Sequence, residues 1–113
     1  MSMDCIFCKI ASGEIPADKL YEDDDLIAFW DLQPQAPTHF LVIPRKHLAG
    51  PAAIAAEDDR LIGKVLRLGG ELAQKNGNAD YRFVINNGMQ AGQTVLHFHL
   101  HVLAGRDMTW PPG

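Results

Sequence analysis

The stretch TVLHFHLHVLAG, residues 94–105, places three histidines on alternate positions of an apolar segment. Its β-branched and apolar residues favour a strand, and Gly105 marks the end of that strand. Because successive side chains of a strand point to opposite faces, His97, His99 and His101 would share one face, with neighbours about 6.5 Å apart. We therefore expect a row of three imidazoles opposite a buried apolar face.

The composition indicates one compact domain over residues 1–113, with 47% hydrophobic residues. A formal net charge of −4 without a run of Lys or Arg argues against nucleic acid or an anionic membrane as the main partner. No apolar stretch approaches the roughly 18 residues of a membrane span, and the N-terminal residues lack the features of a signal peptide. We therefore expect a cytoplasmic protein.

The remaining sequence predicts two helices and four more strands. Gly13 ends the first helix, and the second has apolar residues at helical spacing. Gly69 and Gly70 either weaken the second helix or let another element pack closely against it. The predicted elements are a short helix within 5–16, strands at 20–21, 26–30 and 39–43, a long helix at 57–76, and a strand at 81–87 before the histidine strand. Short turns and one helical crossover favour an α+β fold with a five-stranded antiparallel sheet.

The row of histidines has structural and functional explanations. A single half-buried histidine is most often structural, but three in alternation add desolvation and mutual repulsion on protonation. His-x-His on a strand can build a catalytic zinc site with a third ligand elsewhere. Alternatively, a neutral imidazole attacks phosphorus while its neighbours donate to anionic oxygens. The Gly-containing loop NNGMQAGQT at 86–94, and the lack of paired acidic residues near the row, favour the phosphate site.

Cys5 and Cys8 form a second pattern near the N-terminus. Two cysteines three positions apart do not make a secreted disulfide framework, and on an amphipathic helix such residues are commonly small apolar side chains. Cys-x-x-Cys is also a weak metal signal that needs further ligands, and His47 after the third strand is available. The residues alone leave both explanations open.

The segment HFHLHVL, residues 97–103, is similar to the His-φ-His-φ-His-φ-φ signature (φ apolar) of the histidine triad nucleotide-binding superfamily. The resemblance covers nearly the whole chain. Two further segments resemble the Hint branch, the nucleoside phosphoramidases. They are IFCKIASGEIPADKLYEDDDLIAFWDLQPQAPTHFLVIPRKH at residues 6–47 and GRDMTWPPG at residues 105–113. It implies a five-stranded antiparallel sheet with one long and one short helix, and a homodimer across which the sheet continues.

The resemblance implies a hydrolase that cleaves the P–N bond of purine nucleoside phosphoramidates, such as AMP bonded to an amine or a lysine. His99, the middle histidine, matches the nucleophile that attacks the α-phosphate and carries the nucleotidyl group until water hydrolyses it. His101 matches the position that donates hydrogen bonds over the phosphate and a proton to the leaving amine. His39 matches a fourth histidine lining the site. This chemistry needs no cofactor.

The same resemblance implies binding residues for an AMP-like purine nucleotide. Asp31 matches the ligand of the ribose hydroxyls and Leu32 packs on the sugar, since a diol suits a carboxylate and a purine suits a flat apolar cleft. Thr94 stands where the familiar Hint pattern has serine, and because either hydroxyl can donate to phosphate, we expect an altered rate rather than lost function. The other matches are Ile6, Phe7, Ile10, Phe29 and Leu41 at the base, and Asn86, Gln93, Thr94 and the backbone of Val95 at the phosphate. Taken singly, Phe7, Phe29 and Leu41 would be explained equally well by core packing.

A structural zinc ion is implied by a subset of these relatives. Some histidine triad relatives with the same Cys-x-x-Cys, and the related galactose-1-phosphate uridylyltransferases, bind zinc through such a pair. Their other ligands are a histidine after the equivalent strand and the first histidine of the motif. Here the ligands would be Cys5, Cys8, His47 and His97, with one structural zinc ion per chain.

Two other functions stay open. One is a nucleotide-binding regulatory or interaction protein with vestigial hydrolysis, which would not need an intact nucleophile row. The other is a metal-dependent hydrolase that uses the histidine row as ligands, which chelators would inactivate.

Overall fold

Two helices and one five-stranded sheet make up the fold in the computed structural model, which describes residues 4–113. The elements are α1 (Ile6–Ser12), β1 (Lys19–Glu22), β2 (Leu26–Trp30), β3 (Thr38–Pro44), α2 (Asp59–Lys75), β4 (Tyr81–Val84) and β5 (Leu100–Ala104), with 3₁₀ turns at 51–53, 56–58 and 89–91. The strand order is β1-β2-β3-β5-β4, and every neighbouring pair is antiparallel. This confirms the predicted α+β fold. Among the described residues, no helix has the length and apolar character needed to span a bilayer.

The short helix α1 covers one face of the sheet and begins at a cysteine. Cys5 caps it, because its Sγ accepts a hydrogen bond from the Cys8 N–H at 3.3 Å. Gly13 ends it with a φ of 86°, a left-handed backbone that favours glycine, and its N–H donates to the Ile10 carbonyl. The buried side of α1 packs on apolar side chains of β2 and β3.

The long helix α2 covers the opposite face of the sheet. Val65 and Leu72 are buried in a cluster that includes Leu100 of β5. Gly69 allows a close approach, since a Cβ at this position would lie 2.8 Å from Leu100 Cδ2 and 3.2 Å from the Phe83 ring. Of the two roles expected for the glycine pair, close packing of another element is therefore present at Gly69.

The histidine strand is shorter than predicted. β5 begins at Leu100, so His97 and His99 precede it and the predicted strand over both of them is wrong. The ladder between β3 and β5 ends where Val42 pairs with Leu100. Two residues further along β3, Pro44 has no N–H with which the ladder could continue.

The two faces of this segment are those that the alternation predicts. Phe98 and Leu100 are buried in the cluster under α2. The rings of His97 and His99 lie instead on the α1 face, where their centroids are 6.0 and 5.1 Å from that of Phe7. The alternation in sequence therefore separates core from site even where the backbone is irregular.

Other predicted boundaries shift by a few residues. The strands predicted at 20–21 and 39–43 each extend one residue further at both ends, while the strand predicted at 81–87 ends at Val84. Val84 is the last residue of β4 paired with β5, after which the chain leaves the sheet. The long helix starts at Asp59 because the residues before it form a 3₁₀ turn.

Candidate functional site

Three histidines predicted as catalytic lie together on the α1 face of the sheet. His39 pairs with Leu103 across the ladder and His101 pairs with Leu41, so the two histidines are diagonal neighbours on one face. Their ring centroids are 5.2 Å apart. His99, just before β5, has its ring centroid 5.0 Å from that of His101.

The backbone fixes the proton of His99. Its Nδ1 lies 2.7 Å from the carbonyl oxygen of His97, which can only accept, so Nδ1 carries the ring proton. In the neutral ring, Nε2 therefore carries no proton and has an available lone pair. The ring is buried, with Phe7 packed edge-on against it. A histidine in this tautomer has the free nitrogen that a nucleophile needs.

A chain of hydrogen bonds likewise fixes His39 and His101. The Gln35 N–H donates to His39 Nδ1 at 3.0 Å, so the proton of neutral His39 is on Nε2. That Nε2–H donates to His101 Nδ1 at 2.9 Å. The remaining proton of neutral His101 is therefore on its Nε2. One fixed backbone N–H thus sets the tautomers of two rings.

The pKa values of both rings favour this neutral arrangement. Burial lowers the pKa of His101 from 6.5 to about 4, helped by the neighbouring His99 and His39 and opposed by Asp31. Burial also lowers the pKa of His39, again against the negative charge of Asp31. Both rings are therefore uncharged near pH 7.

A second metal site at Asp31, His39 and His101 is disfavoured by these tautomers. Their candidate ligand atoms all lie within 4.8 Å of one another. An ion bound by His39 Nε2 would force the ring proton onto Nδ1, where it would meet the donating N–H of Gln35. The hydrogen-bonded chain is therefore the better description of this group than a metal-dependent hydrolase centre.

The predicted ribose ligand lies beside these rings. Asp31 Oδ2 is 3.4 Å from His39 Nε2 and 3.9 Å from His101 Nδ1, and Asp31 Oδ1 accepts from the Gln33 N–H at 2.8 Å. Leu32 is 93% exposed and so lies outside the core. A partly exposed carboxylate and a free apolar side chain are therefore adjacent at the edge of the site.

The residues predicted for the base slot divide into two groups. Phe7, Ile10, Phe29 and Leu41 are buried in one cluster, and the Phe7 and Phe29 rings meet edge to face at 5.6 Å. Ile6 is 45% exposed. The buried four pack as a core would, and this cluster borders the His99 ring through Phe7.

The residues of the predicted phosphate loop differ in exposure and in hydrogen bonding. Thr94 is exposed, Val95 packs partly against the α1 cluster, and Asn86 lies beside Gly92. Gln93 is buried, and both ends of its side-chain amide are hydrogen-bonded to backbone groups. Only its backbone could contact a phosphate.

The four predicted metal ligands converge between α1 and the end of β3. Cys5 Sγ lies 3.3 Å from His97 Nδ1, and Cys8 Sγ lies 3.3 Å from His47 Nδ1 and 3.5 Å from His97 Nδ1. The two Nδ1 atoms are 3.1 Å apart. His97 Nε2–H donates to the Pro44 carbonyl at 2.8 Å, so the lone pair on Nδ1 faces the sulfurs.

These distances fit a tetrahedral zinc ion. With Zn–S near 2.3 Å and Zn–N near 2.05 Å, tetrahedral geometry puts sulfur and nitrogen ligands roughly 3.5 Å apart and two nitrogens roughly 3.3 Å apart. Burial and the neighbouring Cys5 raise the pKa of the Cys8 thiol to about 11, so a cation is needed to favour the thiolate. Cys5, Cys8 and His97 are buried and His47 is partly exposed, and a surface pocket lies beside both Cys5 and His47.

Known proteins match this chain over almost its full length. The family described as "Scavenger mRNA decapping enzyme C-term binding" matches residues 4–110. A HIT-like protein from Synechocystis is 51% identical, with 100% of both chains covered. The chain belongs to the histidine triad (HIT) family. A HIT family hydrolase from Legionella pneumophila shares 49% identity and a TM-score of 0.95, covering 97% of this chain and 100% of the other. The histidine triad nucleotide-binding protein of Candida albicans shares 34% identity and a TM-score of 0.79, covering 97% and 85%.

This HIT chain therefore has the fold of HIT family hydrolases, and its histidines are oriented by groups that the sequence analysis missed. These are the Gln35 N–H and the carbonyls of Pro44 and His97. Every residue has such backbone groups, so no sequence pattern marks them. The buried clamp at Gln93 was also missed, and its only signal is an amide side chain among small residues.

Proposed function

We propose that this HIT protein hydrolyses purine nucleoside phosphoramidates, of the AMP-amine or AMP-lysine type, through a nucleotidyl-histidine intermediate. The observation that carries the proposal is the tautomer of His99. Its Nδ1–H is bound to the His97 carbonyl, which leaves the Nε2 lone pair free to attack phosphorus. Membership of a family with named hydrolases supports a hydrolytic outcome.

In the proposed first step, His99 Nε2 forms a bond to the α-phosphorus and the P–N bond breaks. The substrate nitrogen takes a proton from solvent and the amine departs, while neutral His101 donates a hydrogen bond from its Nε2–H to a phosphate oxygen and His39 holds it in this tautomer through the 2.9 Å hydrogen bond. In the second step a water oxygen bonds to phosphorus, the bond to His99 breaks, and the water proton returns to solvent. Preorganised donors and fixed tautomers avoid reorientation during both steps.

The nucleotide is proposed to lie over the α1 face. Asp31, partly exposed beside the histidines, would accept from the ribose hydroxyls, and exposed Leu32 would pack on the sugar. The Thr94 hydroxyl would donate to the phosphate, and exposed Ile6 would meet the base. The Candida albicans relative, whose name describes it as nucleotide-binding, supports this ligand class. The net charge of −4 offers no attraction for nucleic acid.

The test is to trap the intermediate. The protein is mixed with an AMP-amine phosphoramidate, quenched in base, and analysed by intact and peptide mass for AMP attached to His99. We expect the adduct in wild type and its loss, with loss of turnover, in His99→Ala. His99→Asn should still bind AMP because the ribose and base contacts remain.

Normal turnover by the His99 variants would refute the covalent mechanism. A wild type that binds AMP but yields neither adduct nor product would favour a nucleotide-binding regulatory protein instead.

We also propose one structural zinc ion per chain, held by Cys5, Cys8, His47 and His97. Two sulfurs and two nitrogens with no open position suit a zinc ion that supplies stability, tying α1 to the end of β3. Their distances support this donor set. Both cysteines are free thiols, as a reducing compartment requires, and the cytoplasm is the proposed location. Metal analysis of protein purified without chelator or a nickel column should give one zinc per chain, and far less would refute the site.

The active form is proposed to be a homodimer in which the sheet continues from one copy to the other. β4 is an edge strand, so one side of its backbone has no partner within this sheet. Large apolar side chains near this edge and on α2 are partly exposed, namely Leu66, Tyr81 and Ile85. Pairing of two such edges would cover both features.

A further inference from the structure

Gln93 joins three backbone segments through one buried side-chain amide. Its side chain is 4% exposed. Oε1 accepts from the Gly88 N–H at 2.8 Å, while Nε2 donates to the Ala49 carbonyl at 2.7 Å and to the Val95 carbonyl at 3.1 Å. Both Nε2 hydrogens are therefore in use, and the side chain has no donor left for a ligand.

The chain after β3 approaches this amide closely at Gly50. A Cβ at Gly50 would lie 3.1 Å from Gln93 Oε1 and 3.0 Å from Asn87 Oδ1. Asn87 Oδ1 in turn accepts from the Ala52 N–H at 2.8 Å. Two amide side chains thus dock residues 49–52 against the loop at 86–95.

The docked segment is also tied to the histidine segment. The Leu48 carbonyl, one residue before Ala49, accepts from the Phe98 N–H at 2.6 Å. Phe98 lies between His97 and His99. The contacts of Gln93 therefore connect the backbone at Gly88, through residues 48–49, to the segment that carries His99.

We propose that Gln93 is a positioning residue for the nucleotide phosphate. Its amide holds residues 88–95 in the one conformation in which the Thr94 hydroxyl and the adjacent backbone can meet the phosphate while His99 reaches phosphorus. This role rests on the proposed function, because it assumes that a nucleotide phosphate binds here.

Removing the amide separates this role from direct contact with the ligand. In Gln93→Met, a side chain of similar length fills the space but leaves the Gly88 N–H and the Ala49 and Val95 carbonyls without this partner. The loop then samples other conformations, and the apparent affinity falls by the fraction of molecules still competent to bind. Bound substrate restores the order, so the loss falls on KM rather than on kcat.

The experiment compares Gln93→Met with Gln90→Met, the same substitution at an exposed glutamine of the same loop. Calorimetry with AMP should give about tenfold weaker binding for Gln93→Met if about a tenth of the molecules keep the competent loop. Turnover of an AMP-amine should show a similar rise in KM with kcat near that of wild type. Hydrogen exchange at the Gly88 amide should be faster. Gln90→Met should match wild type in all three measurements.

A second variant guards against misfolding of the first. Gln93→Glu keeps an acceptor for the Gly88 N–H but cannot donate to the two carbonyls when ionised, so it should also raise KM. Wild-type KM and wild-type Gly88 exchange in both variants would overturn the positioning role, as would a lowered melting temperature without a rise in KM. If the wild type binds no AMP, the proposed function fails, and amide exchange alone decides whether Gln93 holds the loop.

Discussion

Alanine substitutions at two glycines of α2 separate helix propensity from packing against the sheet. At Gly63 an added Cβ meets nothing within 4 Å, whereas at Gly69 it would lie 2.8 Å from Leu100 Cδ2 and 3.2 Å from the Phe83 ring. Alanine is favoured over glycine in a helix by about 1 kcal/mol. Overpacking a closed core costs roughly 1–3 kcal/mol. We therefore expect Gly63→Ala to stabilise the protein by up to about 1 kcal/mol and Gly69→Ala to destabilise it by up to about 2 kcal/mol.

Thermal and urea unfolding of the two variants measure this difference. For a chain of this length 1 kcal/mol corresponds to about 4 °C, so Gly63→Ala should melt about 4–12 °C above Gly69→Ala. Gly70→Ala is a useful third variant, because its Cβ would lie 2.6 Å from the Tyr81 hydroxyl oxygen and 3.3 Å from Tyr81 Cζ, atoms at the far end of a partly exposed side chain. If Gly69→Ala were as stable as Gly63→Ala, the side chains of Leu100 and Phe83 would have to move aside freely, and Gly69 would not set the distance between α2 and the sheet.

The remaining predictions concern the metal, pH and assembly. Chelation should lower the melting temperature much more than the intrinsic rate. If free zinc had been a thousandfold above its Kd, its removal lowers the free energy of unfolding by about 4 kcal/mol. Cys5→Ser should lose metal and stability while keeping the adduct at His99. Because the pKa of His101 falls from 6.5 to about 4 on folding, the unfolded chain binds more protons than the folded chain between these pH values. The free energy of unfolding should therefore fall as the pH drops through this window, and it should fall less in His101→Asn. Sedimentation at micromolar concentration should show a dimer, and a monomer of 12.5 kDa would exclude it. Residues 107–113 lie in the C-terminal segment that resembles the Hint branch and include the exposed Trp110, so if this tail reaches the site of the second copy in the proposed dimer, its deletion should change a kinetic constant for at least one substrate.

The fold was largely predictable because its signals are local. Gly13 ended α1 as expected, and the apolar periodicity of α2 and the strands gave their order along the chain. The start of β5 was not predictable from its own residues, which favour a strand from Val95 onward. Its limit lies in the neighbouring strand, where the ladder stops short of Pro44. A strand boundary that depends on a partner requires knowledge of the pairing.

The candidate site was predictable to the level of residue type and no further. Alternation placed His97, His99 and His101 on one face, yet the three rings differ in what they can do because their hydrogen-bond partners differ. The ring N–H of His97 donates to a carbonyl and its lone pair faces two sulfurs, which suits a metal. The ring N–H of His99 also donates to a carbonyl, but its lone pair is not directed at the cysteines, which suits attack on phosphorus. His101 accepts from His39 and so keeps its Nε2–H as a hydrogen-bond donor for a phosphate oxygen. The chemical role that suits each of the three rings therefore depends on main-chain carbonyls and a fourth histidine. The spacing of the three histidines specifies neither of these.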